Sequence, residues 1–166
     1  MSKYKISLNN TGILQPQDAC VVIVHTEWNK DIVDNLVKGA QFILERHKIG
    51  HIHTITVPGA FEIPFAIRYH WQVEQHKKNK PDVFIALGAV IEGDTPHFDY
   101  VCKAVTEGIL QLNLQLPIPT IFGVLTVYNE GQAIERIGGK HGHKGEEAAL
   151  TAIQMIALKQ SYIEGS

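Results

Sequence analysis

Short apolar runs with no polar interruption constrain this chain more than any other feature. Ala19-Cys20-Val21-Val22-Ile23-Val24 and Val83-Phe84-Ile85-Ala86-Leu87 carry apolar residues at odd and even positions alike. A strand of that kind must be covered on both faces, the condition met in a parallel sheet flanked by helices. A third run begins at Thr120 and continues to Val127. None of the three approaches the roughly 20 residues that a membrane-spanning helix needs.

Between the runs the apolar period lengthens. Over 30–47, Ile32, Leu36, Ala40, Ile43 and Leu44 recur at three- and four-residue spacings, and Gly50 closes the segment, which predicts an amphipathic helix. Residues 51–57 alternate Ile52, Ile55 and Val57 with His53, Thr54 and Thr56, which predicts a strand nearer a sheet edge. A helix is expected over about 60–78, with Pro64 tolerable only near its first turn. Residues 83–87 are a strand and 88–94 a loop. Thr95-Pro96 reads as an N-cap followed by proline at the first helical position, and that helix is expected to reach about 115. A short helix over 129–136, a glycine- and histidine-rich loop over 138–145 and a last helix over about 144–162 follow. Strands alternating with helices predict an α/β three-layer sandwich with a four-stranded parallel sheet and right-handed crossovers. Residues 18–166 read as a single domain and 1–17 as an N-terminal arm that needs a partner.

Composition narrows the partners. Hydrophobic residues make up 45% and charged residues 19% of the 166, which is the make-up of a folded chain. Lys and Arg number 15 against 17 Asp and Glu, a net charge of −2, so there is no basic footprint for nucleic acid. Met1–Asn10 lacks the apolar core of a signal peptide. Cys20 and Cys102 both lie in apolar segments and are expected to be reduced, buried thiols of a cytoplasmic protein.

Open parallel sheets bind ligands beyond the carboxyl ends of their strands, so the loops there are the places to look for chemistry. In Gly88-Ala-Val-Ile-Glu-Gly-Asp-Thr-Pro-His-Phe-Asp-Tyr100, Gly93, Asp94 and Thr95 sit between a strand end and a helix start. Backbone N–H groups and partial positive charge favour an anion there. Either this turn holds a phosphate, or Thr95 caps the helix and Gly93 only makes the turn. Asp94 opposes an anion unless its side chain points away. His97 falls in the first turn of the same helix, where it is either a surface residue or a neutral imidazole that accepts and returns a proton. Pro58-Gly59-Ala60-Phe61-Glu62 is a second strand-to-helix turn whose N–H groups and carboxylate suit ligand hydroxyls. Trp28, at the first strand's end, is either packing or a stacking platform for a flat heterocycle. Arg136 and Lys144 flank the 138–145 loop as a phosphate clamp or as a solvated face. The pairs His51-x-His53 and His141-x-His143 have no further ligand spaced to complete a metal site.

Taken together, Pro58-Gly-Ala-Phe-Glu-Ile-Pro64, Leu87-Gly-Ala-Val-Ile-Glu-Gly-Asp-Thr-Pro-His-Phe-Asp-Tyr-Val101, Phe122-Gly-Val-Leu-Thr126, Gln132-Ala-Ile-Glu-Arg-Ile-Gly138 and Gly142-His-Lys-Gly145 resemble the signature segments of the lumazine synthase family, in order, from residue 18 to the last helix. The resemblance implies a flavodoxin-like fold. It also implies condensation of 5-amino-6-(D-ribitylamino)pyrimidine-2,4-dione with 3,4-dihydroxy-2-butanone 4-phosphate, the penultimate step of riboflavin biosynthesis, with no metal or organic cofactor. It places Trp28 on the pyrimidine, Ala60, Phe61 and Glu62 along the ribityl chain, and Ala89, Val90 and Ile91 against the heterocycle. Phe122 becomes a further wall, Gly93, Asp94, Thr95, Arg136 and Lys144 phosphate ligands, and His97 the proton-transfer residue. It implies a homopentamer, as such or as a decamer or 60-subunit icosahedral shell. In that assembly the arm strand is added to a neighbouring subunit, and Phe122, Arg136 and Lys144 come from the neighbour of the chain giving His97. Two positions depart from the family pattern. His143 stands where asparagine is expected, and Glu92 where many members carry arginine. Other readings are a non-catalytic flavin- or lumazine-binding shell protein and a flavodoxin-like electron carrier.

Overall fold

Four strands, β1 (Cys20–Thr26), β2 (His51–Val57), β3 (Val83–Ile91) and β4 (Thr120–Val127), form one parallel sheet in the order β2-β1-β3-β4 in a computed structural model. The structure describes residues 16–164. Of the expected arm only the turn at Pro16–Asp18 is included; its addition to a neighbour's sheet lies outside the described residues. Helices α1 (Lys30–Arg46) and α5 (Lys144–Glu164) pack on one face, and α2 (Ile63–Glu74) and α3 (His97–Gln115) on the other.

The uninterrupted runs now have their cause. Val21 and Ile23 of β1, with Ile85 and Leu87 of β3, face α1 and α5. Cys20, Val22 and Val24, with Phe84 and Ala86, face α2 and α3. The two central strands thus feed two cores, and truncating Phe84 would cost about 3–5 kcal/mol. β2 is an edge strand, as its alternation predicts. β4 is the other edge, and its outer side has no strand beside it among the described residues.

Several boundaries differ from the sequence reading. β3 continues to Ile91 instead of ending at Leu87, because β4 offers it ladder partners as far as Ile91↔Val127. Residues 60–62 form a 3-10 turn, and α2 ends at Glu74 rather than near 78. The following Gln75-His-Lys-Lys-Asn-Lys80 has no apolar side chain to bury, and a helix without such a face gains little. α3 starts at His97, with Pro96 at the N-cap, and Thr95 makes no capping hydrogen bond. The loop over 138–145 holds a small antiparallel hairpin, β5 (Ile137–Gly139) with β6 (Gly142–His143). Its Gly138 and Gly142 have φ of 113° and 79°, conformations that glycine adopts without steric cost. Cys20 is buried, but Cys102 is only half-buried, because it lies beside the apolar stripe of α3 rather than on it. The short α4 (Glu130–Ile134) is capped by Asn129, whose side chain accepts from the Gln132 N–H at 3.0 Å.

At the amino end of the sheet, Asp82 clamps β1 to β3. Its carboxylate accepts from the Cys20 N–H at 2.8 Å, and its own N–H donates to the Cys20 carbonyl at 2.8 Å. Burial, then the nearby Asp82 and Glu74 carboxylates, push the Cys20 thiol from 9.0 to about 11. Burial likewise raises Asp82 above the ordinary carboxylate value.

Candidate active site

The carboxyl end of the sheet is open where the amino end is closed. β1 pairs with β3 only as far as His25↔Leu87, so the edge of residues 88–91 beside it is left without a strand. Asn29 partly fills that gap. It adopts the left-handed conformation (φ 57°, ψ 43°) at the start of α1, and its Nδ2 donates to the Ala89 carbonyl at 2.7 Å. A non-glycine residue held in that region carries strain that its surroundings must hold in place. Thr26 Oγ1 donates to the Trp28 carbonyl at 3.2 Å. The β1–α1 turn is therefore fixed, and Trp28 stands up from it with 63% of its surface exposed.

Around that turn lies a cavity of about 460 Å³. Trp28, Ala60, Phe61, Glu62, Ala89, Val90, Ile91 and His97, all expected at the site, line it together. Gly59 is required by close approach: a Cβ there would fall 2.6 Å from the Trp28 ring. Glu62 is held by its Oε2, which accepts from the Gly59 N–H at 3.0 Å. Phe61 is 63% exposed, a cost in apolar surface that a ligand or partner would relieve. His97, the first residue of α3, stands at the cavity wall with Val101 one turn further on.

The other expected residues lie elsewhere. A second cavity, of about 580 Å³, runs along the outer edge of β4 beside α5. Phe122, Arg136 and Lys144 line it, and it shares no lining residue with the first. Arg136 Nη1 donates to the Gln132 carbonyl at 2.7 Å, Lys144 Nζ pairs with Glu147 at 2.7 Å, and the Lys144 N–H donates to the Arg136 carbonyl at 2.8 Å. Gly93, Asp94 and Thr95 line neither cavity and are exposed. A Cβ on Gly93 would meet nothing within 4 Å, so nothing inside the described residues demands glycine there.

Sequence reasoning missed Thr26, Asn29 and Val101 as cavity residues. Thr26 was within reach, since it lies two residues before Trp28. Val101 figured in the sequence only as the last residue of the segment that begins at Leu87. Among the described residues no three His, Cys, Asp or Glu side chains are grouped to hold a metal ion, and no helix is long and apolar enough to cross a membrane.

A parallel α/β sandwich, an aromatic-walled cavity at the strands' carboxyl ends and an imidazole at its wall define a small-molecule enzyme of flavodoxin-like architecture. The sequence matches the family model for 6,7-dimethyl-8-ribityllumazine synthase over residues 18–160, and the chain belongs to that family. A 6,7-dimethyl-8-ribityllumazine synthase from Porphyromonas gingivalis is 47% identical over 146 residues, which are 87% of this chain and 88% of that one. Those from Parabacteroides distasonis and Bacteroides fragilis are 47% and 46% identical over 136 residues, 81% of this chain and 82% and 92% of theirs.

Proposed function

We propose that this chain is a transferase that condenses 5-amino-6-(D-ribitylamino)pyrimidine-2,4-dione with 3,4-dihydroxy-2-butanone 4-phosphate to give 6,7-dimethyl-8-ribityllumazine, phosphate and water. The observation that carries this reading, beside family membership, is the grouping of His97 with Trp28, Phe61 and Glu62 on one cavity. The pyrimidine stacks on Trp28 and meets the strandless edge of residues 89–91. The ribityl chain lies along Ala60, Phe61 and Glu62. The 5-amino group attacks the butanone carbonyl and water leaves to form an imine. His97 relays the protons as phosphate is eliminated, and the ribitylamino nitrogen then closes the ring with loss of a second water. Holding the two reactants in register supplies much of the acceleration.

The phosphate binds at the exposed turn of Gly93, Asp94 and Thr95 together with Arg136 and Lys144. Because the cations line a different cavity from His97, a complete site takes Phe122, Arg136 and Lys144 from a second copy of the chain. The assembly is a homopentamer, as such or built into a decamer or 60-subunit shell, in which residues 1–17 act as an arm on the neighbour's sheet. It works in the cytoplasm. The test is turnover: purified protein and both substrates give lumazine absorbance above the spontaneous rate. Binding of lumazine or riboflavin without turnover would contradict the reading.

A further inference from the structure

His143, at the end of β6, lines neither cavity but touches the elements that hold the cation pair. Its ring lies directly on the α1 backbone at Gly39, where a Cβ would collide with Cε1, Nδ1 and Nε2. Its Cδ2 is 3.7 Å from where a side chain on Gly138 of the hairpin would begin. Its Nδ1 accepts from the Glu146 N–H in the first turn of α5, at 3.4 Å. Across the hairpin it pairs with Ile137. The residues next to this pair are Arg136 and Lys144, themselves joined N–H to carbonyl at 2.8 Å.

A hairpin of five strand residues has little stability of its own. Its position against α1, α4 and α5 must come from packing, and the imidazole is a stiff, flat side chain with two torsions to fix. Gly39 supplies the notch that admits it. We infer that His143 is a positioning residue: wedged between α1 and the β5–β6 hairpin, it fixes Arg136 and Lys144 at the height where they take the phosphate of the second substrate. This rests on the synthase reading for the substrate's name, but not for the anion.

The experiment compares wild type with His143→Ala, Gly39→Ala and His143→Asn, using the full assembled protein. Both alanine variants should raise KM for the phosphate-bearing substrate about tenfold, equivalent to ~1.4 kcal/mol. kcat and KM for the pyrimidine should stay within about twofold, because those residues lie on the other cavity. In His143→Asn an amide oxygen accepts from the Glu146 N–H, and KM should return towards wild type. Gly39→Ala should add nothing in the His143→Ala background, since the two changes break one contact. A merely structural role would lower kcat without this split, or leave KM unchanged while amide exchange at Glu146 speeds up; either result overturns the inference. Calorimetry with inorganic phosphate separates the two readings. A tenfold weaker Kd in the alanine variants of a protein that shows no turnover would sink the synthase and keep the wedge.

Discussion

The two cavities differ in what they are made of. The one beyond β1 and β3 has two large exposed aromatic rings, a strandless backbone edge, a carboxylate and an imidazole, with no Lys or Arg on its wall. The one along β4 has Arg136 and Lys144 together with Phe122. The first is suited to a flat, hydroxyl-bearing molecule and to proton transfer, the second to an anion. Neither alone contains a site for a condensation that joins a heterocycle to a phosphate ester. On the proposed reading, the subunit carries two halves of one chemistry on separate cavities.

Substitutions should separate the halves kinetically. His97→Ala should show the largest effect, a fall in kcat of about 10²–10⁴-fold, the usual contribution of one general acid–base. An unchanged kcat would remove the imidazole from the chemistry. Arg136→Ala should act on the other half. KM for the phosphate-bearing substrate should rise about 10–100-fold, as expected for loss of a hydrogen bond to a charged group, with KM for the pyrimidine little changed. Trp28→Ala should reverse that pattern, weakening the pyrimidine about tenfold through lost stacking. An equal rise in both KM values in either variant would blur the two halves into one.

The closed amino end of the sheet supplies the smallest effect and a control. Cys20 is 1% exposed, and its thiol is raised from 9.0 to about 11. Its folded value lies above its unfolded one, so the stabilising contribution is complete below pH 9 and is lost as pH rises through about 11. Thermal unfolding should show a loss on the order of 1–2 kcal/mol over that range, after allowing for solvent near the strand end. Cys20→Ala should flatten it while leaving neutral-pH kinetics alone.

The sheet was legible because β1, β3 and β4 are apolar at successive positions and helices alternate with them. Boundaries were less so. The end of β3 is set by its pairing with β4, and no local signal in Gly88-Ala-Val-Ile91 announces that. α2 stops where apolar side chains stop, which a proline-based reading of its start could not reveal. At the site, the residues on the first cavity were readable as loop motifs at strand ends. Asn29 was not, because its role depends on a left-handed backbone and a carbonyl 60 positions away. His143 stood out in sequence as half of a His-x-His pair and as a departure from the family's asparagine. Its reason, the notch at Gly39, is a contact between elements distant in the chain.

On the proposed reading, catalysis needs both halves, from two subunits. Complementation tests it directly. His97→Ala and Arg136→Ala proteins are unfolded, mixed in equal amounts, reassembled and assayed with the phosphate-bearing substrate far below the raised KM of Arg136→Ala, where each variant alone turns over little. Random mixing of two copies per site puts an intact His97 beside an intact Arg136 in about a quarter of the interfaces, so activity should return to about that fraction of wild type. A mixture no more active than the two variants assayed separately would place both residues in one subunit's site and contradict the account.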